Sequence, residues 1–182
     1  MAEVGEKLVL DYLVQLDLKP MKINEGEKQT PDFEVRNSKD NLLFFVEEKT
    51  IDQDNFWDNI EPGVVSFEND SSENALEKKF RKAVKQFKSI NPEHLIPNVL
   101  AFVNLNDSVN VGDLVISLTG KAITENGKII TIRRLGRVKD DLNEVDLCLW
   151  FDKNRLQNVL YLSTNDQHIE VLKNFFNDSF SN

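Results

Sequence analysis

The sequence is poor in the residues that staple, anchor or carry cofactors. A single cysteine, Cys148, stands among 182 residues, which excludes an intramolecular disulfide. The two histidines, His94 and His168, lie far apart in the chain, and with one cysteine this set speaks against a structural zinc site. No apolar run is long enough for a membrane span and no signal or transit peptide is recognisable, so a cytoplasmic protein with no membrane partner is expected. Neither a glycine-rich phosphate loop nor a Gly-x-Ser-x-Gly elbow occurs. Lysine and arginine number 22 against 31 acids, and the net charge of −9 opposes general adhesion to nucleic acid or an anionic membrane. A local basic groove stays compatible with that balance.

What is present is ordinary for a globular chain, with 40% hydrophobic and 29% charged residues. The length suits one domain with a substantial core, and no repeat, low-complexity tract or domain boundary interrupts it. The stretch around which the chain is organised is 42–50, Leu-Leu-Phe-Phe-Val-Glu-Glu-Lys-Thr. Its apolar start is that of a buried strand and its end is charged. Alternation puts Leu43, Phe45, Glu47 and Lys49 on one face. Charges at the end of a core strand must be paired, hydrogen-bonded or bound to a metal, because burying a lone charge is costly. A second strand over 30–35, containing Pro31 and Asp32, predicts a hairpin turning at 37–41 that brings Asp32 close to Glu47.

Helical spacing over 3–16 puts Val9, Leu10, Leu13 and Leu16 on one stripe, with Glu6 on the same side. An inward acid in a first turn also serves simply to complement the helix dipole. Pro20 is expected to stop this helix, with a short strand over 21–24. Residues 51–73 carry seven acids and no Lys or Arg, and Phe56, Trp57 and Phe67 suggest a partly anchored loop. The clearest helix spans 74–90, burying Leu76, Phe80, Ala83, Val84 and Phe87, with Ser72 or Asn74 as its cap. Its flank carries Lys79, Lys82 and Gln86, and Lys85 adds to a basic island that reads either as a solvated face or as a phosphate grip. A strand over 98–103, a short helix over 111–118 ending at Gly120, paired strands over 145–151 and 158–162, and a closing helix over 166–176 complete an α/β layer structure. A second basic island, with Lys128, Arg133, Arg134, Arg137 and Lys139, lies in 127–139.

Asp32, Glu47 and Lys49, with an inward Glu6, meet the needs of metal-dependent phosphodiester hydrolysis. Mg²⁺ prefers oxygen ligands, and two carboxylates on neighbouring strands hold it while leaving water sites open. A lysine beside it orients the water or stabilises the charge that develops on phosphate. The competing reading is a surface ion pair at a strand end, worth about 0–1 kcal/mol. A helix with Glu6, a strand with Pro31-Asp32, a strand ending Glu47-Glu48-Lys49 and a helix bearing Lys82 and Gln86 together resemble the PD-(D/E)XK, restriction-endonuclease-like nuclease superfamily. The resemblance covers roughly the first hundred residues, 1–105, and 106–182 carry no assignable motif.

The resemblance implies a central mixed β-sheet flanked by helices. It implies Asp32, Glu47 and the Glu48 carbonyl as ligands of Mg²⁺ or Mn²⁺, Lys49 as the catalytic lysine, Glu6 as an accessory acid and Gln86 or Lys82 as the supporting polar residue. Two positions depart from the pattern. Glu48 stands where the superfamily usually has an apolar residue, and Ile90 where some members carry a tyrosine. The expected function is a Mg²⁺-dependent deoxyribonuclease whose basic islands (Lys79, Lys82 and Lys85; Arg133, Arg134 and Arg137) grip phosphates on either side of the site. Cutting duplex DNA would imply a homodimer. The alternatives are a nuclease-fold protein that binds nucleic acid or a protein partner without cutting, and an acidic immunity-type protein for which Asp32 and Glu47 form a binding face.

Overall fold

The computed structural model describes residues 2–24, 26, 29–52, 72–132 and 135–176, the side chains of residues 2 and 3 excepted. Its spine is a six-stranded mixed sheet in the order β1-β2-β3-β4-β7-β8. The strands are β1 (Lys19–Lys22), β2 (Phe33–Arg36), β3 (Leu42–Ile51), β4 (Asn98–Asn104), β7 (Leu147–Asp152) and β8 (Arg155–Tyr161). The central pairs β3–β4 and β4–β7 are parallel, whereas β1–β2, β2–β3 and β7–β8 are antiparallel. Parallel neighbours need a crossover, and helix α2 (Ser72–Ile90) lies on the connection between β3 and β4.

Sheet alternation divides the core into two layers. Phe45, Leu100, Phe102, Cys148 and Trp150 pack with Leu76, Phe80, Ala83, Val84 and Phe87 of α2 and with Leu114 and Leu118 of α3 (Val111–Thr119). Phe44, Val46, Val99, Ala101, Leu147, Leu149 and Phe151 pack with Val9 and Leu13 of α1 (Ala2–Gln15), with Leu172 of α4 (Asp166–Lys173), and with Phe176 beyond it. Strand β4 is buried at all seven positions, as expected of a central parallel strand covered on both faces.

The predicted elements are recovered with moved ends and three further differences. Strand β2 starts only at Phe33, so that Pro31 and Asp32 precede it, β8 starts at Arg155 and α4 ends at Lys173. Helix α1 ends at Gln15, before the proline, through Asp17 in the left-handed region at φ 59° and a Leu18 amide that returns to the Leu13 carbonyl. Pro20 instead lies inside β1, which sits at the sheet edge where a missing N–H is tolerated. In 121–131, where only a basic stretch was evident, β5 (Lys121–Ile123) and β6 (Ile129–Thr131) form a separate antiparallel hairpin. Helix α3 closes as expected at Gly120, φ 66°, and starts with an Asn110–Asp113 capping box. The acidic segment with Phe56, Trp57 and Phe67 lies outside the described residues. Among the described residues no helix is long and apolar enough to cross a membrane.

Candidate active site

The hairpin of β2 and β3 turns at 37–41 through the Asn37 side chain, which accepts from the amides of Lys39 and Asn41. Phe33 pairs with Val46, so the next position places Asp32 opposite Glu47. Asp32 stands just outside the ladder, and its Oδ2 accepts the Glu48 amide at 2.7 Å, a bond that the next strand residue would otherwise have supplied. This fixes the carboxylate at the open end of the hairpin.

Glu47 is 1% exposed. Its Oε1 is paired with the Lys49 ammonium, which also donates to the Glu48 carbonyl at 3.2 Å. Its Oε2 is buried and makes no well-formed hydrogen bond, although the Gln86 side chain lies close enough to favour the ionised carboxylate. Burial pushes the Glu47 carboxyl up to about 8; Lys49 opposes the rise and Asp32 adds to it. Asp32 is also raised, mainly by burial, against the favourable Glu48 amide. Asp32 adds to the rise at Glu47, whereas at Asp32 the like charge that adds to burial is Glu6, with Lys49 and Lys22 opposing it.

Glu6 is placed near the site but is engaged elsewhere: its carboxylate pairs with Lys22 of β1, whose ammonium lies 3.6 Å from Asp32 Oδ1. Lys22 is therefore the member of this group that the sequence pattern does not announce, because a strand on an edge offers no motif. Gln86 is buried on the α2 flank, donates Nε2 to the Thr30 carbonyl at 2.9 Å, and lies beside Glu47. It thus holds the segment that leads into Asp32. Its Oε1 and the Thr30 hydroxyl are buried without partners.

Glu48 points to the opposite face. Its Oε1 accepts from the Thr50 hydroxyl at 2.6 Å, and the side chain fills the space that a Cβ on Gly5 of α1 would occupy. A glycine notch in α1 thus makes room for this carboxylate. Burial, partly relieved by Thr50, pushes the Glu48 carboxyl up to about 7.

The basic residues divide. Lys79 is half-buried, and burial holds its ammonium below the ordinary lysine range, with the charges of Lys49 and Lys82 adding to that and Asp52 and Glu48 opposing it. Lys82 and Lys85 are exposed. Arg137 is exposed too, but its amide donates to the buried Glu77 carboxylate and its carbonyl accepts from Arg81 at 3.0 Å. Arg81 is two residues from Lys79, about 200° around the helix, so Arg137 meets α2 on a side away from Lys79, which shares the Gln86 flank. Arg133 and Arg134 lie outside the described residues.

A second group was missed altogether. His94 and His168, remote in sequence, converge on Asp146, and this is the cluster among the described residues in which three metal-ligating side chains approach within 4.8 Å of one another. Reading the histidines as too distant for a shared site is thereby corrected; the sheet closes the gap, because β4 and β7 are adjacent. No family model, curated protein or solved structure matches this chain.

Proposed function

We propose that this chain is a restriction-endonuclease-like, metal-dependent nuclease that hydrolyses phosphodiester bonds in DNA. The observation that carries the reading is Glu47: an almost fully buried carboxylate with one oxygen on Lys49 and the other without a well-formed hydrogen bond beside Gln86, set opposite Asp32 across an antiparallel pair. Buried polar atoms normally have partners, and an under-satisfied carboxylate oxygen beside a second acid is what a cation-binding site leaves when described without its ion. The donor set is all oxygen, which fits Mg²⁺ or Mn²⁺. Asp32, Glu47 and the Glu48 carbonyl would hold the ion, and it would supply Lewis-acid polarisation of the phosphate and a more acidic attacking water.

The protein's own groups have distinct tasks. Lys49, tied to Glu47 and to the Glu48 carbonyl, would stabilise the charge developing on a phosphate oxygen. Gln86 keeps the strand entrance in place through Thr30, and so fixes where Asp32 emerges. Glu6 holds Lys22 beside Asp32. Lys79, Lys82 and Lys85 would bind phosphate along one edge of the site without reading bases. A protein of this kind that cuts both strands of a duplex would work as a homodimer.

The test is cleavage of supercoiled, linear and single-stranded DNA with Mg²⁺ or Mn²⁺ by wild type, Lys49→Ala and Asp32→Ala. Both variants should fold, retain cooperative unfolding and fail to cut. Cleavage surviving in both would overturn the assignment. One observation favours a second reading, that of a nuclease-fold protein that binds nucleic acid or a protein without cutting: the ammonium of Lys22 pairs with Glu6 and stands beside Asp32, so internal charges already offset part of the acidic set. DNA binding with no cleavage in either metal would favour that reading.

A further inference from the structure

The chain has two histidines, and both end on the same carboxylate. His94 Nε2 lies 2.7 Å from Asp146 Oδ2, and His168 Nδ1 lies 2.9 Å from Asp146 Oδ1. Three separate elements deliver these groups. His94 sits on the turn after α2, Asp146 immediately before β7, and His168 in the first turn of α4, where the Asn165 cap accepts its amide. Asp146 is fully buried, and His94 keeps 19% of its side chain exposed, which leaves a path from solvent.

A structural carboxylate would not need this much. Asp146 Oδ2 already accepts the Asn98 amide at 2.8 Å, and the Ser163 hydroxyl also bonds the carboxylate. Two imidazoles come in addition. His94 moreover has φ 48°, a left-handed conformation that glycine or asparagine adopts at lower cost.

We propose that His94, Asp146 and His168 form a second metal site that binds a first-row transition ion of the zinc class, separate from the oxygen-only site at Asp32 and Glu47. Two imidazole nitrogens and one carboxylate oxygen are the donor set that Zn²⁺ takes with three protein ligands, leaving a fourth position for water. Bond lengths of about 2.0–2.2 Å imply ligand atoms about 3.4 Å apart in a tetrahedron. The two contacts therefore need to open by roughly 0.6 Å while both nitrogens, now on different oxygens of Asp146, turn towards one ion. Imidazole also separates the two sites chemically, since hard Mg²⁺ prefers oxygen ligands. The site joins the loop before β4, the start of β7 and α4, so an ion there would tie the sheet to α4.

The experiment uses the full chain with Co²⁺ as a spectroscopic probe. The Asp32→Ala/Glu47→Ala variant should bind one equivalent and develop visible ligand-field absorption, which one equivalent of Zn²⁺ removes and excess Mg²⁺ does not. In His94→Asn, which tolerates the backbone conformation, affinity should fall by more than about tenfold with cooperative unfolding preserved. His168→Gln should do the same. An absorption band that survives in both histidine variants, is missing from wild type, or vanishes with Asp32 and Glu47 would overturn the proposal. DNA cleavage is not used as a readout, so failure of the nuclease reading and failure of this site are told apart.

Discussion

Gly5→Ala should destabilise the protein, although replacing a helical glycine by alanine ordinarily stabilises by about 0.5–1 kcal/mol. The reason lies across the interface of α1 and β3. A Cβ at position 5 would stand 2.7 Å from Glu48 Cδ, with Glu48 Oε1 and the Thr50 hydroxyl closer still. Glu48 cannot swing away cheaply, because it is 5% exposed and bonded to Thr50. Overpacking of this kind costs about 1–3 kcal/mol. Subtracting the gain in helix propensity leaves a net loss of about 1–2 kcal/mol. Urea unfolding at fixed pH reads this directly as a shift in midpoint at unchanged slope. The decisive arm is a cycle in the Glu48→Ala/Thr50→Ala background. With both obstructing groups gone, the same Gly5→Ala change should become neutral or stabilising, giving a coupling energy of about 1–3 kcal/mol. Gly5→Ala that stabilises wild type, or costs the same in both backgrounds, would refute the idea that Glu48 is accommodated by a notch in α1.

Three further outcomes follow from other parts of the molecule. Tyr12 is packed edge-on to Phe151 at 5.3 Å, and its phenol is raised by burial first and by Tyr161 second. The folded state thus resists its ionisation, so stability is held up to about pH 10 and lost as pH rises further; in Tyr12→Phe that alkaline loss should shrink, as followed by unfolding between pH 8 and 11. Lys82→Ala should lower DNA affinity and reduce the salt slope of binding by about one, whereas Arg137→Ala, on the other flank of α2, should leave the slope unchanged; equal effects would mean the two islands act as one surface. Asn110→Ala removes the side chain that accepts the Gly112 amide at 2.7 Å and should cost about 1 kcal/mol in urea unfolding, with no change in DNA binding.

How much of this was legible beforehand varies with the range of the interaction. The hairpin and its register were readable, since Asp32 and Glu47 are close in sequence and alternation fixes their faces. The Gln86 flank was readable as well, because helical spacing sets it beside the buried stripe that covers β3. What escaped were groups whose meeting depends on tertiary packing. Lys22 reaches Glu6 and Asp32 only because β1 pairs as an edge strand and α1 crosses nearby, and no local pattern encodes either. The Glu48 carboxylate read as a departure from an apolar position, and its compensation at Gly5 lies forty-three residues earlier on another element. His94 and His168 are joined by Asp146 only through the adjacency of β4 and β7 and the docking of α4.

The two buried carboxylates at the heart of these proposals solve the same electrostatic problem in opposite ways. Asp146 lies below the ordinary carboxylate range: burial pushes it up, but hydrogen bonds from His94, Ser163, the Asn98 amide and His168 outweigh burial. Glu47 has one strong partner, Lys49, and burial wins, so its carboxyl rises to about 8. A fully satisfied carboxylate is stable as it stands and would yield its donors only to an ion that binds the imidazoles more strongly than it does, which selects for a nitrogen-seeking metal. An under-satisfied one is held in a costly state that any hard cation would relieve, with no nitrogen ligand required. On the two proposals made above, the contrast in saturation, more than the count of acids, would separate the Mg²⁺ site from the Zn²⁺ site. It also orders the expected response to ions. Mg²⁺ should raise the melting temperature of wild type and His94→Asn alike, and fail to do so in Asp32→Ala/Glu47→Ala. A Mg²⁺ response that followed His94 and not Glu47 would reverse the assignment of the two sites.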